Sequence, residues 1–464
     1  MARALGSEKT VRLEVGPIRL GRSHSLQREP EGLSQEIRNI ARPLADAGDL
    51  DPLLDAIGDA RYVLLGEASH GTSEYYSWRA RLSQRLIREK GFSFLAVEGD
   101  WPDCYRVNRY VKGYRGAGES AREVLHAFDR WPTWMWANWE VVALAEWLKG
   151  HNQSLDEGRK VGFYGLDVYS LWESLHSLMS YLKRTDPEAL AAAERAFRCF
   201  EPYGEDVQEY ARATAFVPTS CEDEVVGLLG ELRGRSKLYE NDPEAAFNAE
   251  QNALVVVGAE RYYRAMVRGG PESWNVRDHH MADTLDRLMV HHRARQGQRP
   301  KAIVWEHNTH IGDARATDMA NAGMTNIGQL ARERHEGEGV FLVGFGSYRG
   351  SVIAGRSWGA KMERMPVPEA REGSWEELLH GAVGKDGLLL LSGAEGDALF
   401  EPRGHRAIGV VYNPAHERYG NYVTTILPER YDAFLYLDES QALHPLHLAS
   451  TDGREPPDTY PWGV

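Results

Sequence analysis

Acidic residues and histidines are grouped in four short parts of the sequence, with spacing that favours acid–base chemistry. They are Glu67-Ala-Ser-His70-Gly71, Glu98-Gly-Asp100, Asp167, and Glu306-His307-Asn308-Thr309-His310. A histidine whose ring is oriented by a carboxylate can act as a general base near neutral pH. Glu67 precedes His70 by three residues and suits that orienting role. We therefore expect His70 to be a base and Glu67 to fix its tautomer.

Each of these polar groups directly follows a short apolar run that has the pattern of a buried strand. The runs begin at Tyr62, Phe94, Val161 and Lys301, and helical patterns follow them. Strands buried on both faces are typical of parallel α/β sheets, and ligands bind at the carboxyl ends of such strands. We predict an α/β fold in which a mostly parallel central sheet is flanked by helices and the polar groups face one crevice.

The rest of the chain completes a single-domain prediction. Further strands are predicted at 340–344, 387–391, 408–412 and 434–437, and a helix at 33–47. Residues 186–296 lack strand patterns, so we expect a large helical insertion there that forms one side of a deep cleft. Residues 1–30 are polar and mixed in charge, which is typical of a loose leader. The predicted domain spans 31–464.

Composition excludes several classes of function. Hydrophobic residues make up 42%, and 54 Lys plus Arg against 68 Asp plus Glu give a formal charge of -14. This acidic balance disfavours nucleic acids and anionic membranes as partners. The sequence contains no membrane-span pattern and no signal-peptide pattern. We expect a cytoplasmic protein that acts on a small molecule, with no oligomeric state indicated.

The motifs for several common cofactors and nucleophiles are missing. The sequence contains no G-x-S-x-G, no Walker loop and no H-E-x-x-H. The three cysteines, Cys104, Cys199 and Cys221, form no C-x-x-C pair, so we predict neither a disulfide framework nor a thiolate zinc site. We therefore expect no cofactor and no metal.

The neighbourhood of His70 makes three further expectations specific. The chain must turn sharply after the first strand, which Gly66 and Gly71 permit. His70 precedes a predicted helix, whose positive N-terminal end should keep the imidazole neutral. Glu98 ends a buried strand and needs a cationic partner, for which Arg79 is a candidate. The alternatives are a capping histidine and a purely structural ion pair.

Four tryptophans lie within the nine residues 131–139. A core position is the default for tryptophan, but one helix face cannot bury all four. Some should line a cleft and bind a bulky, apolar or sugar-like ligand. The predicted substrate-binding residues are Trp131, Trp134, Trp136, Arg277 and Asp100.

Taken together, the motifs resemble the erythromycin esterase family in order and spacing. The matching residues are Gly66-Glu67-x-x-His70-Gly71, Glu98-Gly-Asp100, Asn275-x-Arg277-Asp278-x-x-Met281 and Glu306-His307-Asn308-x-His310. The resemblance covers about residues 55–439. It implies a helical portion flanking a deep cleft, and a hydrolase that opens the lactone of 14-membered macrolides without a serine nucleophile. It also implies that the general base is His70 and that the other active-site residues are Glu67, Arg79, Glu98, His307 and His310.

The leading hypothesis is a metal-independent ester hydrolase. His70 would activate water, Glu67 would orient His70, and Glu98 would organise the water. His307 or Arg79 would stabilise the oxyanion. The alternatives are a divalent-metal-dependent hydrolase, whose ligands would be Glu67, His70, Glu98 and the two histidines near residue 308, and a homologue that binds a ligand without turnover.

Overall fold

A mixed β-sheet forms the centre of the molecule. The computed structural model describes residues 32–447 apart from 204–209, 211–212, 214–219, 234–243, 298 and 395, so the predicted leader 1–30 lies outside the described residues. Within them, nine strands form the main sheet. They are β1 (Ala41–Pro43), β2 (Tyr62–Leu65), β3 (Phe94–Asp100), β4 (Gly162–Asp167), β5 (Ala302–Trp305), β6 (Val340–Gly355), β7 (Met362–Val367), β8 (Gly387–Leu390) and β11 (Ala433–Ser440). A separate pair consists of β9 (Arg403–Arg406) and β10 (Tyr422–Thr425).

The strand order explains why the polar groups meet. The order is β1-β8-β11-β6-β2-β5-β3-β4, with β7 paired to β6. Strands β11, β6, β2, β5, β3 and β4 run parallel, whereas β8, β1 and β7 are antiparallel to their neighbours. The prediction of a mostly parallel α/β sheet is confirmed, and the sheet is mixed. Because β2, β5, β3 and β4 are adjacent and parallel, their carboxyl ends share one edge.

Helices cover both faces of this sheet. Alternate residues of the central strands enter two separate apolar clusters: Val63, Leu95 and Ile303 enter one, and Leu64, Ala96 and Val304 the other. Burial on both faces explains the continuous apolar runs in the sequence. In the described part of the chain the helices include Leu33–Ile40, Asp51–Ile57, Ser73–Lys90, Trp101–Val111, Ala121–His126, Trp139–Asn152, Leu171–Thr185, Pro187–Phe200, Glu222–Arg233, Ala245–Met266, Glu272–Gln296, Asn308–Ile311, Ile327–His335, Trp375–Val383, Glu417–Gly420 and Leu427–Arg430.

The helices between β4 and β5 have an apolar cluster of their own. It is built around Leu175, Ala193 and Val256. A disulfide joins Cys199 to Cys221 in this part of the molecule. The expectation that the cysteines form no disulfide is therefore wrong. The prediction relied on the absence of a C-x-x-C pair, and that criterion does not apply to cysteines that are distant in sequence. Here the packing of two helices brings together Cys199 and Cys221, which are 22 positions apart.

Two other sequence predictions need correction. Residues 408–412 do not form a strand, since the only pairing there is two isolated bridges, at Ile408 and Val411, among the described residues. The helix predicted at 33–47 ends at Ile40, after which β1 pairs with β8 at the sheet edge.

Within residues 32–447, as far as they are described, no helix combines the length and the apolarity that crossing a membrane requires.

Candidate active site

His70 and Glu67 lie just beyond the carboxyl end of β2, and a hydrogen bond joins their side chains. His70 Nδ1 is 2.8 Å from Glu67 Oε1. Since the carboxylate accepts, Nδ1 carries the proton and the lone pair of the neutral ring is on Nε2. Arg79 Nη2 donates to the other oxygen, Glu67 Oε2, at 2.6 Å. These three side chains form a chain of contacts that fixes the orientation of the His70 ring.

The glycines around His70 are required by packing. A Cβ at Gly66 would overlap the Asn308 side chain, and a Cβ at Gly71 would overlap the backbone of Ile353. Neither glycine has a positive φ. The sequence prediction identified the right glycines for a different reason, because close approach of other segments, and not a left-handed turn, excludes a side chain here.

Arg79 contacts Glu67 and lies outside the lining of the cavity described below. Its side chain is fully buried, with the guanidinium over the rings of Tyr76 at 4.4 Å and Trp305 at 4.6 Å. The expectation that Arg79 contacts a developing oxyanion does not fit this position. Its contact with Glu67 fits a positioning residue instead.

Two carboxylates set the charge state of His70. Burial alone would lower the pKa of the imidazole, but the charge of Glu98 and the hydrogen bond to Glu67 outweigh it and raise the pKa above 6.5. His70 Nε2 lies 3.9 Å from Glu98 Oε1. The expectation that a helix N-terminus would hold His70 neutral is therefore corrected. Direct contact with carboxylates has the larger effect on the ring.

Arg277 joins the ends of β3 and β4. Its Nε and Nη2 donate to the two Asp167 oxygens at 2.9 and 2.6 Å, and Nη2 also donates to Glu98 Oε1 at 2.7 Å. Arg277, and not Arg79, is thus the cationic partner of Glu98. Burial favours the neutral form of Glu98, but His310 and His70 in their protonated forms, together with the permanent charge of Arg277, hold its pKa well below the usual range.

His310 is held by side chains of the helix Glu272–Gln296. Arg277 Nη1 lies 2.9 Å from His310 Nε2, and since the guanidinium can only donate, Nε2 accepts. Nδ1 then donates to Asp278, whose oxygens are 2.9 and 3.0 Å away. The indole of Trp274 stacks on the imidazole at 4.4 Å. With both nitrogens used, His310 orients Arg277.

His307 offers a hydrogen-bond donor beside His70. The Thr309 amide donates to His307 Nδ1 at 3.3 Å, so the ring proton is on Nε2. This Nε2 is buried and makes no hydrogen bond of good geometry among the described residues, although the Ala68 carbonyl lies close enough to favour the protonated ring. Burial and the neighbouring His70 hold the pKa of His307 well below its usual range, against smaller opposing effects of Glu98 and the Ala68 carbonyl. The two imidazoles lie 4.8 Å apart, centroid to centroid.

A cavity of about 330 Å³ opens over these groups. Its polar lining residues include His70, Glu98, His307, His310, Arg277 and Asp167. Its aromatic and apolar lining residues include Phe128, Trp131, Met135, Trp136, Trp358 and Val410. The volume lies at the lower end of the range for small-molecule sites.

The three predicted tryptophans occupy different positions. Trp131 and Trp136 line the cavity, and Trp136 Nε1 donates to the Glu98 carbonyl at 3.1 Å. Trp134 is fully buried in the core, edge-on to Trp131 at 5.5 Å, and does not line the cavity. The expectation that Trp134 contacts a ligand is therefore wrong. The 3-10 turn at Thr133–Met135 directs this side chain inward.

Asp100 lines the same cavity two residues after Glu98. Its Oδ2 accepts from Arg130 Nη1 at 2.8 Å. Burial raises the pKa of Asp100 to about 7, against the opposing charge of Arg130. The sequence prediction did not include Arg130, because nothing in its local pattern distinguishes it from a surface arginine.

Glu306 is the one strand-end carboxyl without a charged contact. It is fully buried, neither oxygen has a hydrogen-bond partner among the described residues, and burial raises its pKa well above the usual range. A neutral carboxyl is a poor metal ligand. No group of three or more His, Cys, Asp or Glu side chains in the described part of the chain is arranged to hold a metal ion.

Comparisons with known proteins show which family the chain resembles. The family model described as erythromycin esterase matches residues 87–440. The erythromycin esterase type II of Escherichia coli is 23% identical over 356 residues, which cover 72% of this chain and 81% of that protein. The putative hydrolase YbfO of Bacillus subtilis is 22% identical over 438 residues, covering 87% of this chain and 90% of that protein.

Solved structures share the fold. A protein described as a succinoglycan biosynthesis protein superposes with a TM-score of 0.71 at 23% identity, over 89% of this chain and 98% of that chain. A Bacillus cereus protein superposes with a TM-score of 0.72 at 19% identity, over 90% of this chain and 99% of that chain. An erythromycin esterase mutant in its open conformation superposes with a TM-score of 0.62 at 19% identity, over 86% of this chain and 95% of that chain. At these identities the similarity shows the fold alone.

Proposed function

The chain belongs to the erythromycin esterase family, and we propose that it is an ester hydrolase whose substrate is the lactone of a macrolide. One observation carries this proposal. The imidazoles of His70 and His307 lie 4.8 Å apart, centroid to centroid, and both line one cavity. A base for water beside a donor for an oxyanion is the pair of groups that ester hydrolysis requires.

In the proposed reaction, His70 Nε2 removes a proton from water as the water oxygen attacks the ester carbonyl. The carbonyl oxygen becomes an oxyanion, which accepts a hydrogen bond from His307 Nε2. When the tetrahedral intermediate collapses, the carbon–oxygen bond to the alcohol breaks, and the imidazolium of His70 returns its proton to the leaving oxygen. Glu67 keeps the Nδ1 proton directed toward itself throughout, because its oxygen lies 2.8 Å away.

Glu98 and Arg277 prepare this reaction without taking part in bond changes. Glu98 raises the pKa of His70 and so makes it a stronger base. Arg277 neutralises Glu98 and Asp167, so that the buried carboxylates do not repel each other. His310 and Asp278 in turn fix the guanidinium of Arg277.

We extend the proposal to the shape of the site. Residues 31–464 would form one domain, in which 186–296 are a helical insertion that closes one side of a deep cleft. Trp274 and Arg277 of that segment line the cavity, which supports this assignment. Trp131 and Trp136 line the cavity too, where they would bind the apolar face of the macrocycle.

The proposal is tested with purified His70→Asn protein. Wild-type protein and the variant are incubated with erythromycin A, and the gain of one water per molecule is followed by mass spectrometry. We expect the variant to keep its fold and to lose about a hundredfold or more in rate, as general-base removal predicts. The control is His416→Asn, since His416 is exposed and lies outside the cavity lining.

Two outcomes would contradict the proposal. Wild-type rates in a folded His70→Asn protein would remove His70 as the base. Failure of the wild type to add water to erythromycin A, while it hydrolyses a simpler ester such as p-nitrophenyl acetate, would keep the esterase and reject the macrolide.

A further inference from the structure

An exposed tryptophan lies at the tip of a β-hairpin beside the cavity. The last part of β6 pairs with β7 from Gly350 to Gly355, and the turn between the two strands carries Trp358. The residue is 65% exposed, yet its indole lines the cavity and contacts the Trp131 ring at 4.6 Å between centroids. A large apolar side chain with this exposure is not packed in the hydrophobic core.

Contacts with Trp131 fix the position of the hairpin tip. Trp131 Nε1 donates to the Ala360 carbonyl at 2.9 Å. A Cβ at Gly355 would lie 3.2 Å from the Trp131 ring, so this strand approaches the indole closely. Gly359 adopts a φ of 75°, which allows the tight turn. Trp358 and Trp131 are therefore held in contact beside the cavity, with their ring planes tilted by 56° to each other.

We propose that Trp358 is a specificity-determining residue, which with Trp131 forms an aromatic platform that binds a rigid apolar ring of the substrate. The inference rests on the proposed esterase function and adds a residue outside its catalytic groups. The CH groups of a saturated ring pack well against the face of an indole. A ligand ring seated there removes the exposed indole from water, which is favourable in proportion to the area covered.

The position of the platform predicts selectivity by size. Trp358 and Trp131 share the cavity with His70 but have no hydrogen bond or ion pair to it. A small ester can react at His70 without reaching the two indoles, whereas an ester with a bulky ring contacts both. Loss of one indole face should therefore weaken the binding of the bulky ester about tenfold and leave the binding of the small ester nearly unchanged.

Kinetics of Trp358→Ala with two esters test this selectivity. The probes are p-nitrophenyl acetate and p-nitrophenyl adamantane-1-carboxylate. We expect kcat/KM for the adamantane ester to fall about tenfold, mainly through KM, with kcat/KM for the acetate within about twofold. Tyr419→Ala is the control, because Tyr419 is 90% exposed and absent from the cavity lining. Equal losses on both esters, or no loss on either, would overturn the inference.

A binding measurement separates this inference from the proposed function. Adamantan-1-ol is titrated by calorimetry into wild-type, Trp358→Ala and Tyr419→Ala proteins. We expect a Kd about tenfold higher for Trp358→Ala alone, whether or not the protein hydrolyses any ester. Equal Kd values in all three proteins, or no binding to the wild type, would overturn the platform. Normal binding with no ester turnover would reject the esterase and keep the platform.

Discussion

Replacement of Glu98 by glutamine should lower the pKa that controls the rise of activity with pH. His70 must be deprotonated to accept a proton, so the rate falls as the pH drops through its pKa. Glu98 raises that pKa, because its charge favours the imidazolium form. Without the charge, the basic form of His70 persists to lower pH, and the rise in kcat/KM moves in the acidic direction.

The distance between the groups sets the size of the change. Glu98 Oε1 is 3.9 Å from His70 Nε2. At this distance the Coulomb energy is about 1 kcal/mol at the dielectric constant of water and about 4 kcal/mol at an effective value of 20. Arg277, 2.7 Å from the same oxygen, offsets much of it. We therefore expect a Coulomb energy near the lower of these two values, which corresponds to a decrease of about one pH unit in the pKa of His70.

The assay is the pH dependence of kcat/KM for one ester between pH 4.5 and 9. Glu429→Gln is the control, since Glu429 carries the same kind of charge but is exposed and lies outside the cavity lining. We expect its profile to keep the wild-type pKa. If Glu98→Gln left the pKa in place, or raised it, the titrating group would not be a His70 in contact with Glu98.

Two further predictions concern metals and stability. Prolonged treatment with EDTA should leave the ester hydrolysis rate unchanged, because in the proposed mechanism His70 is the base and His307 is the oxyanion donor. Loss of activity that a single divalent ion restores would favour the metallohydrolase. Lys112→Met should lower the free energy of unfolding in urea by about 3 kcal/mol, because Lys112 Nζ is buried 2.8 Å from the buried Glu244 carboxylate. Lys385→Met is the control, since Lys385 is exposed and its replacement should change the free energy of unfolding little. Burial favours the protonated form of Glu244, but Lys112 holds its pKa well below 4.5. The stabilisation by the ion pair is therefore complete above pH 4.5. Below that pH, the difference in the free energy of unfolding between wild type and variant should shrink. A difference that stayed constant down to pH 3 would contradict this ion pair as the cause.

The positions of the polar groups could be predicted from the sequence, because the geometry of a parallel sheet determines them. An apolar run followed by an acid or a histidine marks the end of a buried strand. Four such ends become neighbours once β2, β5, β3 and β4 are adjacent. Glu67, His70, Glu98 and His307 therefore lie close together, although more than 230 residues separate the first from the last.

The partners of these groups could not be predicted in the same way. Arg277 is 179 residues from Glu98 and reaches it only because the helix Glu272–Gln296 packs beside β4. Arg79 is closer in sequence but contacts Glu67 and lies outside the cavity lining. Trp358 gave no signal either, because a tryptophan in a hairpin turn has no periodic pattern to indicate what it faces.

The guanidinium of Arg277 connects helix position to the electrostatics of the cavity. It is the link through which Glu98 and Asp167 contact the helix Glu272–Gln296, and it adds to the direct contacts that His310 makes with that helix. A bound cation that paired with Glu98 or Asp167 would compete with Arg277 and weaken the attachment of that helix to the sheet. Thermodynamic linkage then requires the converse, so that a helix held away from the sheet binds such a cation more tightly by the same factor.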